Sequence, residues 1–393
     1  MFRGSRARAR IAFFVATSML VPVVVGATST SARAESAASP RAASPSFVGP
    51  LISHAENATT SWGRDGGITV PLPNGRDFWI FGDTPRYQYV SGKWKLNAFI
   101  YGSSGGEIAY TSGRKPSGQF SEVVPRRAVS ARNQPSQLLP SPSLYIPDGS
   151  GRACNKANGG PSTGANRWPT GAALMPDKTN VLIPYIGVCV INATKFTAES
   201  WGFALFNWKT TRFSAVKDVW KPKKSGASIP PILNRGSPII SGSKVTFFSG
   251  DCCTQKSHTY ATAVPANVSA LSRQSSYSPR AIAHLYPSPN MAVVAASKTQ
   301  RHLTMYQMVD SRGRYRLLKA SKPTGPWSVL SSGVLPRCNR GYQCISVELH
   351  PELSTASKML VSYYQPDFGP GVATKHPHPH PPLGHVVLAY LPG

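Results

Sequence analysis

Apolar residues in this chain come in short runs, and the breaks between the runs are rich in glycine and proline. From about residue 47 onward, strand-like segments are separated by small or polar clusters, and a helical period is hard to find. The clearest unit runs from Asp65 to Asp83. Gly66 to Leu72 and Arg76 to Gly82 read as strands, with Pro73-Asn74-Gly75 between them. Proline suits the second position of a type I turn and Gly75 the left-handed position after it, which gives a three-residue loop with Leu72 facing Arg76. At constant register Asp65 then stands opposite Asp83, with Cβ atoms about 4.5–5.5 Å apart. A two-residue Asn-Gly turn would shift the register by one and put the two carboxylates on opposite faces.

Five stretches repeat this plan of a small-residue or polar cluster, an apolar strand, a turn and a second strand. They are Asp65 to Asp83, Trp168 to Val190, Gly236 to Gly250, Ala281 to Ala296 and Ser346 to Tyr364. Further strand-like segments follow, such as Ser200 to Asn207, His258 to Val264, His302 to Val309 and Tyr315 to Ala320. The expected fold is all-β, a single-domain five-bladed β-propeller with about four strands per blade. His385 to Leu391 is expected to pair near Phe47 to Ile52 and close the ring. The repeats are unevenly spaced, so a two-sheet sandwich is the alternative.

The first residues change the picture. Arginines at positions 3, 6, 8 and 10 precede an apolar run from Ile11 to Ala27, and Ala32-Arg33-Ala34 has the small-x-small form of a cleavage site. Residues 1–34 read as a secretory signal, 35–46 as a flexible Ala/Ser/Pro-rich leader and 47–393 as the propeller. The alternative is an uncleaved anchor, but the run is shorter than the roughly 20 residues a span needs. No later segment has the composition of a membrane span. An extracellular monomer is expected.

The formal net charge is +27. That favours anionic partners such as an acidic cell envelope. Lysine and arginine are scattered, however, and no RNA-binding or zinc-finger signature accompanies them, so specific nucleic-acid binding is not expected. Six cysteines in an exported chain point to disulfides. Cys338 and Cys344 form a local staple, Cys154 and Cys189 are a plausible second bridge, and Cys252 and Cys253 pair with each other or with two other partners.

The run Gly63-Arg64-Asp65-Gly66-Gly67, followed by Pro73-Asn74-Gly75-Arg76 and Trp79-Ile80-Phe81-Gly82-Asp83-Thr84, resembles the first blade of secreted bacterial five-bladed propellers. Among these it resembles the actinobacterial families labelled domain of unknown function 4185 and 5005. Lys319 to Trp327 and Glu348 to Tyr363 resemble their fourth and fifth blades. Those families are similar in fold to arabinanase- and levansucrase-like glycosidases, and members of the first are linked to endo-acting cleavage of D-arabinan. The resemblance implies a carbohydrate-active site at one mouth of the channel.

Candidate chemistry follows from the scarcity of acids, of which there are 16. Asp65 and Asp83 lie at the start of blade one and Glu348 at the start of blade five. Glu348 and His350 are two apart and share a strand face. Paired carboxylates raise one another's pKa, and a glycosidase needs one ionised and one protonated carboxyl group across the scissile bond. Asp65 is the expected base or nucleophile, Glu348 the acid and Asp83 the residue that tunes or orients one of them. Each could instead be structural, Asp83 by capping a tight turn and Glu348 with His350 by locking blade closure. Trp62, Arg64, Trp168, Arg235, His284 and His350 are candidate sugar contacts, and Glu352, after Pro351, is expected on a turn.

Other signals are weaker. Gly102-Ser103-Ser104-Gly105-Gly106 matches the serine-hydrolase pattern but lacks the strand-to-helix elbow it needs. His376, His378 and His380 alternate with prolines and could hold a soft metal ion. Asn57, Asn192 and Asn267 fit a glycosylation sequon. No cofactor is expected. A channel calcium ion would be compatible with the fold, but the acids are too few to argue one. A hydrolase, a sugar- or protein-binding propeller without catalysis and a structural surface protein all remain open.

Overall fold

The computed structural model describes residues 44–126, 134–146, 148, 150–154, 164–192, 195–221, 236–250, 258–282, 285, 291–294, 300–310, 312–338, 344–365 and 385–393. The signal segment, Arg235, His284, Cys252, Cys253 and the His376–His380 run lie outside the described residues, as does nearly all of the leader. Among the described residues the only helical turns are Val268–Leu271 and Gln274–Ser276. No helix among the described residues is long and apolar enough to cross a membrane.

Strands dominate, and five sheets follow one another along the chain. The first holds Ile68–Pro71, Arg76–Phe81, Ser104–Ala109 and Ser121–Glu122. The second holds Gly164–Pro169, Ala173–Leu174, Asn180–Asn192, Lys195–Asn207 and Arg212–Trp220. The third comprises Ile239–Ser241, Lys244–Gly250, Thr259–Pro265 and Arg280–Ala281, and the fourth Met291–Val294, Leu303–Met308, Arg314–Ala320 and Ser328–Val334. The fifth joins Ile345–Thr355, Lys358–Gln365 and His385–Pro392 to Ser46–Pro50 from the other end of the chain. The expected pairing of the last strand with the first is therefore present, with Phe47 opposite Ala389. A sixth, three-stranded sheet joins Thr60–Trp62, which precedes the first sheet, to Thr84–Val90 and Lys93–Ile100, which are inserted between its second and third strands.

The period of two along each strand explains how the sheets pack, since successive side chains point to opposite faces. Val181, Ile183 and Tyr185 of the second sheet pack with Ile68, Val70, Phe78 and Ile80 of the first. The intervening Leu182 instead joins Val245 and Phe247 of the third. Phe248 and Ala261 meet Met305 and Leu318 of the fourth, and Tyr306 and Leu317 meet Leu349 and Val361 of the fifth. The fifth returns to the first through Leu353, Leu360 and Val386 against Trp79 and Phe81. Each fully buried side chain of this size contributes about 1.5–3 kcal/mol.

Two of the expected disulfides are present, Cys154–Cys189 and Cys338–Cys344. The first is packed among Leu144, Ile146 and Ala165, beside the second sheet.

Candidate functional site

The hairpin that carries both aspartates forms as its sequence dictates. Leu72 N–H donates to the Arg76 carbonyl at 2.8 Å, Gly75 takes φ +77°, and the ladder keeps constant register out to Ile68 opposite Ile80. Beyond that the register slips by one. Constant register would have Gly82 donate to the Gly66 carbonyl, but Gly66 adopts φ +73° and Gly82 N–H bonds the Asp65 carbonyl at 2.6 Å. Asp65 is therefore not squarely opposite Asp83, a correction made by one left-handed glycine. The two carboxyl groups remain close enough for the charge of one to raise the pKa of the other.

The fifth sheet brings the third acid. Its first strand, Ile345–Thr355, lies against Ile68–Pro71. Glu348 is paired with Ser362, and the Ser362 hydroxyl bonds the Gly67 carbonyl at 3.3 Å. That contact holds Glu348 at the level of Asp65. Between Ile345 and Glu348 the ladder is irregular, and Ser346 sits in the left-handed region at φ +54°, rare for a residue with a Cβ. Its hydroxyl faces the Asp65 carboxyl.

All three acids are half-buried residues, and burial raises all three pKa values. Glu348 is pushed up to about 8, by burial first and the Asp65 charge second. Asp83 rises to about 6. Burial outweighs the Gly102 N–H that bonds its Oδ1 at 2.6 Å, and Asp65 adds to the rise. For Asp65 itself burial is opposed by the Ser346 hydroxyl and the Gly66 N–H. The cluster thus mixes a carboxyl group that keeps its proton at neutral pH with one that loses it.

The candidate sugar contacts divide. Trp168, on Gly164–Pro169, is half-buried, and its indole N–H lies beside Asp83, short of hydrogen-bond geometry. Trp62 is 4% exposed under the Arg86 guanidinium, and so belongs to the core. Arg64 turns inward. It is 2% exposed, pairs with Glu122 at 2.5 Å and lies over the rings of Phe81 and Phe120, so it reaches no surface ligand. His350 is also corrected. It is fully buried beside Trp79, donates a 2.7 Å bond from Nδ1 to the Thr69 hydroxyl, and is pushed down to about 3 by burial.

Glu352 is not on a turn. It continues the same strand, buried, and accepts a 2.7 Å bond from the Thr69 hydroxyl. With Asp77 it forms a second buried acidic pair between the first and fifth sheets. Burial raises both, and the Glu352 charge raises Asp77 further. Asp77 is fully buried and Glu352 nearly so, and we read this pair as structural. Ser104 likewise begins a strand, buried and bonded to Arg64 and Thr84, which leaves no nucleophile elbow.

Sequence reasoning missed Ser346 and Tyr101. The Tyr101 hydroxyl is raised by burial and by the Asp83 charge, which places its ring beside the cluster. Its place next to the glycine that holds Asp83 was the available signal. Among the described residues no group of three or more His, Cys, Asp or Glu side chains could hold a metal ion. A hollow lined by Pro176, Gly242, Ser243, Pro265, Ala266 and Asn267 contains no titratable side chain and is separate from this site.

No family model matches the chain, and no curated protein matches it by sequence. Among solved structures it is similar to a putative hydrolase from Bacteroides ovatus ATCC 8483, with TM-score 0.53 and 12% identity over 86% of this chain and 87% of that one. Fainter likenesses include the catalytic domain of the Coprinopsis cinerea GH62 alpha-L-arabinofuranosidase, with TM-score 0.43 and 11% identity over 90% of this chain and 98% of that one. Another is a GH43_1 enzyme from Xanthomonas citri, with TM-score 0.44 and 9% identity over 88% and 90%. The first is a likeness of fold alone. The other two are too distant to bear on function, and none assigns the chain to a family.

Proposed function

We propose that this chain is a secreted five-bladed β-propeller that hydrolyses glycosidic bonds in a cell-wall or environmental polysaccharide, an arabinan among the candidates. The cyclic succession of inter-sheet cores supports the propeller reading. The observation that supports the activity is the meeting of Asp65, Asp83 and Glu348 from two sheets, with Glu348 pushed up to about 8. In this reading Glu348 gives its proton to the glycosidic oxygen as the bond to the anomeric carbon breaks. Asp65 attacks that carbon or activates the water that does, and Asp83, held by Gly102, tunes the pair.

A second reading has its own support. Burial raises Asp65 as well. If Asp65 also keeps its proton, the residue assigned as base is lost and the ionised carboxylate that remains, Asp83, is already engaged by the Gly102 N–H, and the chain is a carbohydrate-binding propeller. Turnover by the full chain on arabinogalactan and a panel of plant and bacterial glycans separates the two. Asp65→Asn and Glu348→Gln should each lower hydrolysis by about 10²–10⁴-fold with the fold intact. Binding without hydrolysis on every glycan would favour the second reading.

A further inference from the structure

Gly102 is the middle residue of a γ-turn. Ser103 N–H donates to the Tyr101 carbonyl at 2.9 Å, and Gly102 takes φ +78°. This hand of γ-turn is rare and strained. Its effect here is to aim a backbone N–H at the Asp83 carboxylate, 2.6 Å from Oδ1. Such strain persists only where the surroundings over-determine it. Two sets of contacts do so. Leu138 N–H donates to the Ser103 carbonyl and Leu139 N–H to the Ser103 hydroxyl, each at 2.9 Å. The second contact is with the backbone of Arg167, on Gly164–Pro169 of the second sheet. It lies so near that a Cβ on Gly102 would be 2.7 Å from the Arg167 carbonyl oxygen and 3.0 Å from its nitrogen.

The Arg167 side chain joins these two supports. Its guanidinium donates to the carbonyl of Pro140, the residue after Leu139, and to both carboxylate oxygens of Asp218, at 3.1 and 3.2 Å. It lies 4.9 Å over the ring of Tyr185, whose hydroxyl donates to Asp218 at 2.8 Å. A planar fork can hold a carbonyl and a carboxylate at once, which an ammonium on a flexible stem does less well. Arg167 is 7% exposed and fully occupied by these partners, so it grips no ligand itself. Trp168, the next residue, points to the opposite face of the strand, with its indole N–H beside Asp83. One guanidinium thus ties the segment that holds Ser103 to the strand that pins Gly102 and carries Trp168.

We propose that Arg167 is a positioning residue for Asp83, acting across the boundary between the first and second sheets. Its fork onto Pro140 and Asp218 fixes the strand backbone against Gly102, and Gly102 fixes the carboxylate. This rests on the reading above in which Asp83 belongs to the working cluster. An ion pair that only held two sheets together would contribute stability and leave the Gly102 N–H where it is; this one also decides where that N–H points.

The test is the titration of the Asp83 carboxyl in the full chain, followed by NMR on protein labelled with carbon-13 aspartate. The Asp83 signal is the one missing from Asp83→Asn. Arg167→Met with Asp218→Asn removes the anchor without changing the net charge, and the Asp83 midpoint should rise by about one pH unit as the Gly102 N–H is lost. On a glycan that the parent hydrolyses, kcat should fall by about 10–100-fold with KM little changed. Gly102→Ala displaces the same contact from the other partner and should reproduce the shift, which decides the matter if the double variant does not fold. Gly92→Ala is the control, since Gly92 has the same φ of +78° and nothing within 4 Å of the added Cβ. It should leave the titration and kcat unchanged. An unmoved Asp83 midpoint in the folded anchor variant, or an equal shift in Gly92→Ala, would overturn the proposal. Hydrolysis with an unmoved midpoint would remove the positioning role and leave the hydrolase. A moved midpoint in a protein that hydrolyses no glycan would do the reverse.

Discussion

The hydroxyl of Ser346 faces the carboxyl of Asp65 from a left-handed backbone position, φ +54°. A residue with a Cβ stays in that region at a cost of about 1–2 kcal/mol. The strain has an evident use, because the same irregular stretch sets Glu348 beside Asp65. Ser346→Ala should remove a bond that favours ionised Asp65 and move the acid limb of activity to higher pH. Ser346→Gly should give the same pH shift with higher stability than Ser346→Ala. A pH–rate profile and a melting curve on both variants check this, and an unmoved acid limb would leave the hydroxyl without a role.

Activity should be bell-shaped in pH. An acid with a raised pKa works only while it keeps its proton, so kcat/KM should fall as pH rises through about 8, the value for Glu348. The aspartate pair must lose a proton to act, so activity should also fall below about 6, the value for Asp83. On a substrate whose leaving group needs no proton, Glu348→Gln should retain activity and lose the alkaline limb. A persistent limb near pH 8 in that variant would assign it to another group.

Stability should decline as pH rises. Asp77 and Glu352 are buried between the first and fifth sheets with pKa values raised above the ordinary carboxylate range. The folded state therefore holds protons that the unfolded state releases above about pH 4, and each such group costs stability as pH climbs toward its folded pKa. Asp77→Asn keeps the shape and removes the titration. Its melting temperature should exceed that of the parent at alkaline pH, and the difference should shrink toward pH 4. A constant difference across that range would mean that the pair does not titrate.

Arg64→Ala should unfold the protein more readily without a selective effect on the site. It would leave Glu122 buried without its cation, a loss of about 3–5 kcal/mol. Denaturant midpoints measure this, and KM of the folded fraction should be unchanged. A raised KM at unchanged stability would return Arg64 to the binding residues.

What was legible in the sequence was whatever had a local cause. Pro73-Asn74-Gly75 specified its loop, and alternation located the strand pairs that open the first, third and fifth sheets, but the Ala281 to Ala296 stretch is no pair, since Ala281 ends the third sheet and Met291–Val294 begins the fourth. Cys338 and Cys344 are near enough in sequence to be read as a staple. The misreadings had distant causes. Arg64 looked available because Glu122, its partner, is remote in sequence. Glu352 looked like a turn because Pro351 has no N–H to give a ladder. The strand survives because the Ser354 hydroxyl bridges the irregular stretch, accepting from Leu360 N–H at 2.8 Å and donating to the His350 carbonyl at 2.6 Å. Gly66 could be seen, but the one-residue slip it causes depends on Gly82 reaching the Asp65 carbonyl.

His385–Pro392 is an interior strand, flanked by Lys358–Gln365 on one side and Ser46–Pro50 on the other. Sheets one to four draw their strands from consecutive stretches and can form as soon as each stretch is free. The fifth must wait for both ends of the chain, and Trp79 and Phe81 wait with it for Val386 and Leu388. Pairing across so long an interval is the slowest kind of contact to make. Asp65 and Glu348 belong to the two sheets joined at that seam. The acidic cluster therefore depends on the pairing that topology makes slowest, and on the reading proposed here a chain that has not closed this seam has no site.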